Sequence, residues 1–170
     1  MDSLEIDAVL NQVVARLAEP AYKATYPDEM AFEIDVWPWI ASLAQQLGFD
    51  CLTSHTVHSD RSIEEWQQFC ESSDGPDVRA LGANNRLDVV LKRDGVGSIG
   101  IEIKCLGKSG HTGKLTQGLG QAVLGLAKRD RTVLLIHCGA DSVSETEREE
   151  LRQLGAKICS GARVRLVVVP

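Results

Sequence analysis

Apolar residues at helical spacing, Leu4, Val9, Val13 and Leu17, mark an N-terminal helix that Pro20 stops. A second helical pattern runs through "FEIDVWPWIASLAQQLGF", for which Asp35 is the expected N-cap, Pro38 a first-turn residue and Gly48 the terminator. "FDCLTSHTV" then reads as a strand. From Ser59 to Asn85 the chain turns polar: "RSIEEWQQFC" predicts a short helix with Ser62 and Glu65 at capping-box spacing, and "ESSDGPDVRALGANN" predicts a loop. Period-two patterns return in "RLDVVLK", "SIGIEIKC" and "RTVLLIHC", the last two separated by a helix, "KLTQGLGQAVLGLAK". A helix starting near Ser144, capped by Glu147, and a strand "RVRLVVV" complete the chain.

This order of elements predicts a mixed α/β sheet with helices on its faces. The five-residue link "RDGVG" suits an antiparallel hairpin. Alternation puts Arg86, Asp88, Val90 and Lys92 on one face and Leu87, Val89 and Leu91 on the other. On the next strand, Ser98, Gly100, Glu102 and Lys104 oppose Ile99, Ile101, Ile103 and Cys105. With residues 93 to 97 as the loop, Lys92 pairs with Ser98, and counting back sets Asp88 across from Glu102.

Facing carboxylates repel, more so when buried, and call for a positive charge between them. A hard divalent cation answers this, since Mg²⁺ is often held by one or two carboxylates together with waters and phosphate oxygens. Lys104, two residues from Glu102 on the same face, is placed to meet a phosphate or the attacking water. These are the parts for metal-assisted phosphodiester hydrolysis. An acid and a lysine two apart also occur as a weak ion pair on an exposed strand. Asp88 at the matching register and the space beside Gly100 favour a site. On the following helix Lys114, Gln117, Gln121 and Lys128 form one stripe and Leu115, Leu119, Ala122 and Leu126 another. Gly118, Gly120 and Gly125 each weaken a helix by about 1 kcal/mol relative to alanine, which points to close packing or close ligand approach.

Composition narrows the classes. At 170 residues, 44% hydrophobic and 25% charged, the chain suits one globular domain. No apolar run approaches the roughly 20 residues of a membrane helix, and the N-terminus does not read as a signal peptide, so the expected location is cytoplasmic. Five scattered cysteines read as reduced, buried thiols. A net charge of −6 argues against a general nucleic-acid coat, though not against a local basic site.

Other motifs fall short. "GKSGHTGKLT" lies between strand and helix as a P-loop does, but five residues separate Gly107 from Gly113 and Leu115 follows Lys114 where Ser or Thr is required. Its Lys108, His111 and Lys114 are better read as candidate contacts to DNA phosphates. Cys51, His55 and His58 lack the fourth ligand of a structural zinc. His137 reads as a core histidine, Cys105 as packing on the opposite face, and the three tryptophans as core or helix-packing residues.

At Asp88, Glu102 and Lys104 the sequence resembles the PD-(D/E)xK nuclease-like superfamily, with its restriction-endonuclease-like fold. That resemblance implies a three-layer sandwich with an αβββαβ core at about residues 30 to 138, a polar insertion at about 59 to 85, an extra N-terminal helix, and a C-terminal helix and strand, all in one domain. It implies a deoxyribonuclease, an endonuclease before an exonuclease, with Mg²⁺, or Mn²⁺ in its place, held by Asp88, Glu102 and the Ile103 carbonyl. Lys104 would position water, Gln117 or Gln121 would be the auxiliary glutamine, and Glu33, the additional acid on the first core helix, would contact the metal through water or hold a second metal; helix capping accounts equally well for Glu33. Leu87 stands where the motif names proline. The rival implication is a catalytically silent member acting in DNA binding or assembly. The acidic charge suits that rival, or a homodimer whose assembly creates a basic cleft.

Overall fold

A computed structural model describes residues 3–53, 62–80, 82–107, 110–159 and 163–170. Five strands form one sheet in the order β1 (Asp50–Thr53), β4 (Val89–Arg93), β5 (Gly97–Leu106), β6 (Arg131–Cys138), β7 (Val164–Val169). The pairs β1–β4 and β4–β5 are antiparallel, whereas β5–β6 and β6–β7 are parallel. Helices α1 (Ser3–Leu17) and α2 (Glu29–Leu47) cover one face, and α4 (His111–Gly125) and α5 (Glu145–Ile158) cover the other. The result is a three-layer arrangement. Among the described residues no helix is long and apolar enough to cross a membrane.

Two apolar cores follow from the period-two pattern. Val89, Leu91, Ile99, Ile101, Ile103, Val133 and Leu135 meet Leu10, Val13, Phe32 and Ile40 on the α1/α2 side. Leu106, Leu134, Ile136 and Cys138 meet Ala122 and the partly buried Leu119 and Leu151 on the α4/α5 side. The predicted faces of β5 are therefore correct, and so is the register, with Lys92 opposite Ser98. The turn is tighter than expected, because Arg93 still pairs with Gly97 and only 94 to 96 lie outside the ladder.

Three expectations need correction. The N-cap of α2 is Asp28, whose side chain accepts from the Ala31 N–H at 2.8 Å, and Pro38 lies in the helix interior. Asp35 instead bonds the Lys23 ammonium at 2.9 Å and the Tyr26 hydroxyl at 2.5 Å. The predicted loop after α3 (Ile63–Glu71) contains a hairpin, β2 (Asp77–Ala80) with β3 (Ala83–Arg86), closed by a short ion pair between Asp77 and Arg86. "RLDVVLK" is consequently split. Arg86 ends the β2–β3 ladder, the Leu87 N–H donates to the Pro76 carbonyl at 3.2 Å, and β4 begins only at Val89. This break moves Leu87 to the α4 face, where its side chain fills the space beside Gly100 and Gly125.

Candidate functional site

The break at Leu87 places Asp88 just ahead of the β4–β5 ladder, and its Oδ2 accepts from the Ile103 N–H at 2.6 Å. This bond holds a half-buried carboxylate at the edge of β5. Glu102 and Lys104, on the α4 face of that strand, are 0% and 5% exposed. Gly118 explains how α4 can cover them: a Cβ there would lie 2.9 Å from Lys104 Cγ and 2.8 Å from Leu134 Cδ1. Gly125 allows the same close approach over Leu87, while Gly120 faces open space.

Lys104 Nζ gathers three oxygens. It lies 2.6 Å from Glu102 Oε1, 3.0 Å from Glu29 Oε1 and 3.1 Å from the Ile103 carbonyl. Glu29 uses its other oxygen to accept from the Cys105 N–H at 3.3 Å, so the start of α2 is tied to β5 by a single side chain. Burial, then the neighbouring Asp88 carboxylate, push the Glu102 carboxyl up to about 8, against the opposing pull of Lys104. Burial by itself would lower Lys104, but Glu102, Asp88 and Glu29 outweigh it and hold the ammonium above its ordinary range.

The donor set is entirely oxygen, which suits a hard divalent cation, and among the described residues no well-formed hydrogen bond reaches either carboxylate oxygen of the buried Glu102, which Lys104 meets as an ion pair. Its oxygen and the Ile103 carbonyl already converge on one positive charge. Among the described residues no group of three or more His, Cys, Asp or Glu side chains forms a metal cluster. Mg²⁺ does not require one, since it keeps several waters and often takes only one or two carboxylates. Asp88, Glu102 and the Ile103 carbonyl therefore fit such an ion, provided that Lys104 yields part of its present position.

The remaining candidates are distributed unevenly. Glu33 is 2% exposed and sits one turn beyond Glu29, on the same side of α2. Glu29 is the α2 acid that reaches Lys104; an N-cap at Asp35 leaves Glu29 ahead of the helix, whereas the observed cap, Asp28 in "YPDE", makes it the first helical residue. Gln121 leans toward the Asp88 bend, its Nε2 3.5 Å from the Arg86 carbonyl and its Oε1 buried with no hydrogen-bond partner among the described residues. Gln117 is exposed. Lys114 is half-buried, with its ammonium on the Cys105 carbonyl at 2.7 Å, and His111 makes a short contact with the Gly107 carbonyl. Both side chains brace the β5–α4 connection in this conformation. Lys108, His55 and His58 lie outside the described residues.

Away from the site the other sequence readings are straightforward. His137 is fully buried, with Nε2 2.9 Å from the Lys23 carbonyl, and burial lowers its pKa. Cys105 packs on the α1/α2 face, its Sγ 3.6 Å from His137 Nδ1. All five cysteines are free, and Cys51 is the one only partly buried. No family model, no curated protein and no solved structure matches this chain.

Proposed function

We propose that the chain is a metal-dependent nuclease of the PD-(D/E)xK type with a restriction-endonuclease-like core, hydrolysing phosphodiester bonds in DNA. The observation that carries this reading is the cluster itself: Asp88 at the bend before β4 and Glu102 on β5 brought together, with Lys104 on the same strand as Glu102 and an inward-facing oxygen set. Buried ionisable clusters of this kind are costly to maintain and concentrate at functional sites. Mg²⁺, when bound at Asp88, Glu102 and the Ile103 carbonyl, supplies Lewis-acid polarisation and a more acidic water. The chain's own residues would do the rest. Asp88 fixes the β5 backbone through the Ile103 N–H and aligns its carbonyl, Lys104 orients the attacking water and balances charge at phosphorus, and α4 shields the buried end of the site from bulk solvent.

One observation favours the silent-module reading. Lys104 already supplies a countercharge to Glu102, and the pair is buried beneath α4, as a structural ion pair would be. Incubation with supercoiled plasmid and with single-stranded DNA, in Mg²⁺ or Mn²⁺ and in chelator, separates the two. The nuclease reading expects metal-dependent cleavage that Asp88→Ala reduces by at least about 10²-fold, a loss of the size seen when a preorganised electrostatic contact is removed. Equal cleavage by both proteins, or none by the wild type on either DNA, supports the silent module.

A further inference from the structure

Two of the three groups proposed to take a cation, Glu102 and the Ile103 carbonyl, now hold the Lys104 ammonium. Nζ has three N–H groups, and three oxygens lie within 3.1 Å of it: Glu102 Oε1, the Ile103 carbonyl and Glu29 Oε1. In this conformation the ammonium is enclosed by these oxygens: Glu29 and the Ile103 carbonyl accept hydrogen bonds from it, and Glu102 pairs with it at 2.6 Å. A divalent ion that takes Glu102 and the Ile103 carbonyl removes two of the three acceptors and leaves the third. That third acceptor is on a different element, α2, is anchored to β5 through the Cys105 N–H at 3.3 Å, and has a side chain 37% exposed.

Building on the nuclease reading, we propose that Lys104 acts as a built-in stand-in for the cation, and that Glu29 is the positioning residue that retains its ammonium when the metal displaces it. The displaced ammonium gives up its ion pair with Glu102 and its hydrogen bond to the Ile103 carbonyl while remaining beside the site. Glu29 also keeps the lysine paired at the moment its contact with Glu102 is lost, which limits the cost of putting two cations in one buried pocket. Gly118 makes the exchange sterically possible, since a side chain there would press on the Lys104 stem.

The hand-over has a signature distinct from loss of a water-orienting group. If the lysine competes with the ion, removing its charge must tighten metal binding even though it removes activity. Calorimetric titration of the full chain with Mn²⁺ alone, without DNA, reads this directly. Lys104→Met is expected to bind Mn²⁺ at least about tenfold more tightly than the wild type, and Glu29→Gln at least about threefold more weakly, as expected for removing a repelling or an attracting charge at a few ångströms. Wild-type binding with both variants unchanged overturns the hand-over and leaves the nuclease reading standing. Failure of the wild type to bind Mn²⁺ overturns the nuclease reading itself. Should Lys104→Met not fold, Glu29→Gln decides alone, because its side chain is partly exposed: weakened Mn²⁺ binding with an unchanged metal-free melting temperature supports the proposal, and unchanged binding overturns it.

Discussion

Glu102→Gln is expected to abolish metal-dependent cleavage, by at least about 10³-fold, while leaving the metal-free fold intact. Glu102 is fully buried, so no water can replace the lost charge, whereas half-buried Asp88 leaves room for partial substitution by solvent. Stability moves in a different direction. Burial and Asp88 raise the Glu102 carboxyl from 4.5 to about 8, so in the absence of metal the folded protein keeps a proton that the unfolded chain loses above about 4.5. Stability from this group is complete below that pH and declines as pH rises toward 8, by at most about 1.4 kcal/mol per unit. Lys104 stays charged throughout the same window and adds no slope. Glutamine has nearly the same shape without the titration, so the variant should lose this decline and become relatively more stable at alkaline pH. Urea denaturation from pH 5 to pH 9, run beside cleavage assays, checks both parts. A variant that unfolds at pH 5, or that retains cleavage, contradicts the assignment. The same proton must leave when a cation binds, so wild-type metal affinity should rise with pH.

Phe32→Ala should produce the largest loss of stability, about 3–5 kcal/mol. The ring is fully buried in the α1/α2 core, with centroids 5.7 Å from Tyr22, 5.1 Å from Tyr26 and 5.0 Å from His137. It packs the first turn of α2 and the tyrosines of the preceding segment against the end of β6, and that turn delivers Glu29 to Lys104. Truncation therefore leaves a cavity beside the connection between helix and site. A shift in urea midpoint with little change in slope is the expected form of the result. A loss below about 1 kcal/mol would mean that Phe32 is not part of a close-packed core.

The sheet was legible because alternation with period two is a local signal that burial on both faces enforces. The Lys92–Ser98 register and the faces of Glu102, Lys104 and Cys105 all follow from it. The break at Leu87 was not legible, because its causes lie in the neighbouring β2–β3 hairpin and not in the strand itself: the Asp77–Arg86 ion pair and the bond from the Leu87 N–H to Pro76. The β2–β3 hairpin was hidden because its strands have only four residues each, carry Asp77, Asn84 and Asn85, and are flanked by Gly75, Pro76 and Gly82. Glu29 was missed for a different reason. Asp28 and Asp35 are both acceptable caps in sequence, and only tertiary contacts give Asp35 to Tyr26 and Lys23 and leave Asp28 for the helix. Close packing inferred from glycine in α4 holds at Gly118 and Gly125 and fails at Gly120, since spacing alone does not say which glycine faces the sheet.

The central claim is that Asp88, Glu102 and the Ile103 carbonyl hold a divalent cation. Anomalous diffraction from crystals soaked in Mn²⁺ tests it most directly. The account predicts an anomalous peak bonded to those three oxygens, with the Lys104 ammonium moved off Glu102 and still paired with Glu29. An anomalous map with no peak there, with Lys104 still paired to Glu102 at saturating Mn²⁺, would contradict it.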